Sequence, residues 1–170
     1  TALLTTTYRP AERFRAQAGG GELAGLGTIA LDGTRPFTLS ARAIAFDPSR
    51  FAGVPSATPN GTIEATGTLA PSWDVAGTVA LDPGSQFAGT AVSGKARGHV
   101  IPGRAVDLDV SARVAGATVA LKGGWGAVSD RLQFTLDAPR IGDLRPLLLR
   151  VAPDWPDALA GAIKLNGTLS

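Results

Sequence analysis

The chain has 170 residues, enough for one domain with a substantial core and too few for two full ones. Hydrophobic residues at 44% and charged residues at 18% exclude intrinsic disorder, while Gly 22 and Pro 12 imply many turns. The formal charge of +2 comes with singly scattered basic residues and no stripe to follow a phosphate backbone, and Cys 0 excludes disulfides and thiolate metal sites.

The dominant pattern is two-residue alternation, which puts successive side chains on opposite faces of a strand. In chain order, a first strand is expected near Leu3–Tyr8 and a second at Leu23–Leu31, with Ile29 and Leu31 in the apolar register. Asp32-Gly33 then turns the chain into a strand where Phe37, Leu39 and Ala41 alternate with Thr38, Ser40 and Arg42. Asp47-Pro48 reads as an N-cap with proline at the first helical position. After the turn signal Pro59-Asn60-Gly61, strands are expected at Ile63–Leu69 and Trp73–Leu81, where Ile63, Leu69, Val75 and Val79 share one face. Asp82-Pro83-Gly84 and Pro102-Gly103 bracket a strand region at Phe87–Val100.

Alternation is strictest at Val106–Val114, where Val106, Leu108, Val110, Ala112 and Val114 oppose Asp107, Asp109, Ser111 and Arg113. A strand at Thr118–Lys122, a turn at Gly123-Gly124 and a strand carrying Leu132, Phe134, Leu136 and Ala138 follow. Asp143 is expected to cap a short helix through Leu147–Arg150, and Ile163 and Leu165 open a last strand ending at Leu169. The expectation is an all-β chain of about ten strands, an elongated antiparallel sheet with one or two very short helical turns.

Internal repetition supports a single β segment spanning 1–170. Gly-Thr-Ile-Ala-Leu-Asp at 27–32 recurs as Gly-Thr-Val-Ala-Leu-Asp at 77–82. A longer module recurs at approximately 27–70 and 118–170: Phe37-Thr38-Leu39-x-Ala41 answers Phe134-Thr135-Leu136-x-Ala138. Each is followed by Ile44 or Ile141, by Asp47 or Asp143, and by Gly61-x-Ile63 or Gly161-x-Ile163. Modules of this kind stack, with the helical insert at one edge of a continuous sheet. Neighbouring β modules of the same parent chain are therefore expected partners, and the lack of methionine suggests a processed or excised piece.

Polar residues form no evident chemical site. His99 is the single histidine, with Lys95 and Arg97 at the same parity, and Asp107 and Asp109 share a strand face with Ser111 and Arg113. Solvated strand faces account for both groups. Gly19-Gly20-Gly21 and Asp82-Pro83-Gly84-Ser85 lack the lysine or the spaced oxygen ligands of phosphate or calcium loops. Trp73, Trp125 and Trp155 suit ordinary packing. No catalytic residue, metal or cofactor is expected, and no apolar run approaches the roughly 20 residues that span a bilayer.

The recurring Gly-Thr-Leu and Gly-Thr-Ile/Val strands, the module from Phe37 through Asp47 to Leu69, and Asp130-Arg131-Leu132-x-Phe134-x-Leu136-Asp137-Ala138-Pro139 together resemble the TamB family of AsmA-like, bridge-like lipid-transport proteins. The resemblance runs over approximately residues 21–170. It implies a curled, taco-like β-groove in the periplasm, in a protein anchored in the inner membrane. Such a protein conducts phospholipid between inner and outer membranes and supports outer-membrane assembly with an Omp85-type barrel. The anchor and the barrel-binding end are expected to lie in parts of the parent outside this chain.

On this resemblance the groove lining for phospholipid acyl chains is Ile29, Leu31, Phe37, Leu39, Ile63, Leu69, Val75, Val79, Val106, Leu108, Val110, Leu132, Phe134, Leu136, Ile163 and Leu165. The alternative is a structural or adhesive repetitive β-protein, a solenoid or sandwich with a dry packed core.

Overall fold

The computed structural model describes residues 12–50, 55–151 and 160–170. The alternating segments form twelve strands: β1 (Glu12–Ala18), β2 (Gly21–Ile29), β3 (Pro36–Ile44), β4 (Ala57–Thr58), β5 (Gly61–Thr68), β6 (Asp74–Leu81), β7 (Gln86–Phe87), β8 (Thr90–Ile101), β9 (Arg104–Val114), β10 (Ala117–Trp125), β11 (Leu132–Ala138) and β12 (Ile163–Leu169). Ten of them lie side by side in the order β1-β2-β3-β5-β6-β8-β9-β10-β11-β12, while β4 pairs with β7, which pairs with β8. All the pairings are antiparallel. β1 and β12 are the two outer strands, so the sheet is open. At about 4.8 Å per strand step and 3.3 Å per residue it spans roughly 43 Å across the strands and 20–36 Å along them.

The sequence pattern carries through to the pairing. One continuous row reads Phe14, Gly25, Ala41, Ile63, Val79, Ala96, Val110, Leu121, Phe134, Gly167 from edge to edge. The parallel row through Ala16, Leu23, Ala43, Gly61, Leu81, Gly94, Ala112, Val119, Leu136 and Leu165 is equally apolar. The opposite face carries Ser40, Glu64, Thr78, Arg97, Asp109, Lys122, Gln133 and Thr168 in a single row. β1 was not anticipated, although Arg13-Phe14-Arg15-Ala16-Gln17-Ala18 alternates in the same way.

The expected strand at Leu3–Tyr8 and the loop tryptophan Trp155 lie outside the described residues. Two turn-level expectations are corrected. Gly123-Gly124 is no turn: Gly123, at φ 124°, sits inside β10 at an irregularity in its pairing with β9. Asp143 is not a cap either, because the helical segment starts earlier with a 3₁₀ turn at Ile141–Leu144, anchored by buried Ile141; Asp143 instead pairs with Arg140 at 3.0 Å. The helix α1 (Arg145–Val151) follows directly. Asp47 does behave as expected, its Oδ1 accepting from the Ser49 amide at 3.0 Å at the start of the 3₁₀ turn Pro48–Arg50.

Both helical inserts leave the sheet at the same strand ends, those of Ile44 and Ala138, together with β4 and β7. The buried side chains concentrate there. Ala18, Ala43 and Phe46 form a small core with Ala16 and Leu23 against it, and Ala117, Ala138 and Ile141 are buried nearby along this rim. Ser85 ties the inserts together, accepting from the Asn60 amide at 2.9 Å and lying within hydrogen-bond reach of the Asn60 and Asp82 carbonyls, while Asn60 Oδ1 accepts from the Ala45 amide.

Candidate functional site

Among the described residues, the face of the ten long strands that holds Phe14 and Phe134 consists of Gly, Ala, Val, Leu, Ile, Phe and Trp, apart from Glu12 and Thr90 at strand starts. Among the described residues no second layer covers it: the substantial contacts between elements run between hydrogen-bonded neighbours and between α1 and the turn before it. Most of its large side chains are half-buried, with Val100, Trp125, Leu165 and Leu169 exposed at strand ends or on the outermost strand, whereas the polar face alternates with them as mostly exposed. An apolar face of this extent left open is unusual for a folded chain and marks a place for a ligand or partner.

Glycine placement lets neighbouring strands approach closely on that face. Of the strand glycines, all but Gly124 lie on the apolar side. A Cβ on Gly61 would overlap the Ala80 carbonyl, one on Gly67 the Asp74 carbonyl and one on Gly123 the Arg131 carbonyl. Neighbouring backbones close up on this side more tightly than any other residue allows. Three glycines face an aromatic ring across the strand pair: Phe14 opposite Gly25, Phe37 opposite Gly67 and Phe134 opposite Gly167. The rings of Phe14 and Phe134 lie over Gly25 and Gly167, where a Cβ would collide with them.

The expected lining residues fall into three groups. Ile29, Phe37, Leu39, Ile63, Val75, Val79, Leu108, Val110, Leu132, Phe134, Leu136, Ile163 and Leu165 share the apolar face by register. Leu69 and Leu31 sit just beyond the ends of β5 and β2, both exposed, at the rim opposite the helical inserts. Val106 is on the wrong side: Asp107 adopts φ 50° and adds a residue to β9 between the Arg97–Asp109 and His99–Val106 pairs, turning Val106 to the polar face. The same bulge removes Asp107 from the regular polar alternation. Not anticipated as lining were Phe14, Leu23, Leu81, Val119, Leu121 and Trp125; Val119 and Leu121 were legible in the alternation of β10.

Polar residues serve the outer face. His99 Nε2 lies 2.7 Å from Asp74 Oδ1, and Arg97 donates to Asp109 at 2.9 Å. A shallow hollow of about 620 Å³ over Ala76 is bordered by Glu64, Thr66, Thr78, Arg97 and His99. Ion pairs at Arg15–Glu22 and Lys164–Asp137, both 3.0 Å, are of the exposed kind worth about 0–1 kcal/mol each. Among the described residues no group of three or more His, Asp or Glu side chains could hold a metal ion, and no helix is long and apolar enough to cross a membrane. On the apolar face a second hollow, of about 340 Å³, lies between Phe14, Ile29, Phe37, Leu39 and Leu69.

No protein-family model, no curated protein and no solved structure matches the chain.

Proposed function

We propose that this chain is a β-groove segment of a periplasmic, inner-membrane-anchored protein. Its apolar face holds phospholipid acyl chains on their way between two membranes, in the manner of the TamB-like proteins that its modules resemble. The observation that carries the reading is a nearly continuous apolar face across ten strands with no second layer upon it among the described residues. Acyl chains stand in for the missing layer. At about 0.8 kcal/mol per buried CH₂, ten methylenes laid on this face contribute about 8 kcal/mol before ordering costs, enough to retain a lipid without any charged recognition.

The groove acts by burial and needs no reaction chemistry. Further modules of the same chain extend the trough at the open edges of β1 and β12, and an Omp85-type barrel engages a part of the parent beyond this segment. A dry sandwich would need a second sheet, and a solenoid parallel coils; the antiparallel single layer favours neither.

The test is lipid content after purification. Leu108→Asp, at the floor of the trough, is expected to cut retained phospholipid at least tenfold. Lys122→Ala, on the opposite face of the neighbouring strand, is expected to leave it unchanged. Equal lipid in a folded Leu108→Asp variant contradicts the proposal.

A further inference from the structure

The two rims of the trough differ. At the strand ends of Ile44 and Ala138, Ala18, Phe46, Ala117 and Ile141 are buried, two of them, Phe46 and Ile141, at the start of the inserts. Among the described residues the connections at the opposite strand ends are short, and exposed apolar side chains gather there: Leu31, Leu69, Trp73, Val100, Trp125, Val128 and Leu169. Val128, at 99% exposure, stands on the turn between β10 and β11, and Trp125, at 52%, is the last apolar-face residue of β10. Of the exposed large hydrophobics elsewhere, Leu26 and Ile44 belong to the polar face, Phe87 to the small β7 strand, and Leu165 to the outermost strand.

Resting on the lipid-groove reading, we infer that phospholipid lies along the strands rather than along the trough, with its tails pointing to the insert-bearing rim, where apolar side chains are buried, and its glycerol and headgroup at the Trp73–Trp125 rim. Trp pairs an apolar body with a polar N–H and is suited to the boundary between acyl chain and water. The distance available matches. β10 from Ala117 to Trp125 offers roughly 26 Å of apolar stripe, against about 15 Å of hydrocarbon in one bilayer leaflet. Tails aimed the other way would meet the inserts with their headgroups and leave methyl ends in water.

The rim also bears on headgroup class. Its described charged residues nearly cancel: Arg35, Arg104 and Arg131 against Glu12, Asp32, Asp74 and Asp130, with Arg104 and Asp130 tied to each other at 2.7 Å. A nearly balanced rim holds zwitterionic and anionic headgroups alike, so retention is expected to vary less than threefold between phosphatidylcholine and phosphatidylglycerol at low salt.

Tryptophan quenching reads the orientation. The Trp155→Phe chain, which keeps Trp73 and Trp125, is loaded with phosphatidylcholine brominated either near the glycerol or near the methyl end of one tail. Quenching at least twice as strong from the glycerol-proximal bromines is the expected result. Equal or stronger quenching from the distal bromines, or no quenching while lipid is bound, overturns the orientation and leaves the groove reading standing. Failure of the chain to retain either lipid overturns both.

Discussion

Asp130 collects three donors: Arg104 Nε at 3.0 Å, Arg104 Nη2 at 2.7 Å and the Ala127 amide at 2.9 Å. The Arg104 hydrogen bond foremost, and the Ala127 amide after it, hold the Asp130 carboxyl below the usual carboxylate range. In the unfolded chain this carboxyl takes up its proton first, near pH 4, so the pair stabilises the fold above that value, and the contribution is lost as the pH falls towards the folded value. Asp130→Asn is expected to lower the urea midpoint at pH 7 and to flatten the loss of stability between pH 4 and pH 2; an unchanged acid slope contradicts this role. The two residues lie far apart in sequence, and nothing in the alternation announces their pairing. Asp107 was hidden for a related reason. A bulge requires one residue at positive φ, and an aspartate tolerates that conformation without any local signature, so Val106 reads as apolar-facing in the sequence while the backbone turns it outward.

Strands were the most legible elements, because a face that must be apolar writes a period of two into the sequence wherever the other face meets water. At this scale the two expected modules share a pairing feature. Phe37 opposite Gly67 between β3 and β5 has its counterpart in Phe134 opposite Gly167 between β11 and β12, with a helical insert in each connection. The start of the second insert was less legible, since Ile141 is fixed by burial rather than by a capping side chain. The hydroxyl of Ser85, which is 1% exposed, fastens the loop before β5 to the turn after β6. Removing it leaves the Asn60 amide without its acceptor. Ser85→Ala is expected to cost about 1–3 kcal/mol in urea unfolding. Hydrogen exchange should quicken around β4, β7 and the start of β5 and stay unchanged in β9 and β10; uniform loss of protection across the sheet would contradict a role confined to this rim.

For the molecule as a whole, fold class and the apolar face were readable from the chain, while openness was not: the same alternation serves a sandwich, a closed barrel or a trough. The choice lies in what is laid on the face, and among the described residues it is left bare, with glycines letting the strands approach closely on that side and the one cluster of buried apolar side chains, Ala18, Ala43 and Phe46, lying at the insert-bearing rim. Native mass spectrometry of the purified chain, followed by organic extraction, tests the central claim most directly. The account predicts monomers carrying one or more phospholipid masses that extraction removes. Monomers of bare polypeptide mass, with no phospholipid in the extract, would contradict it.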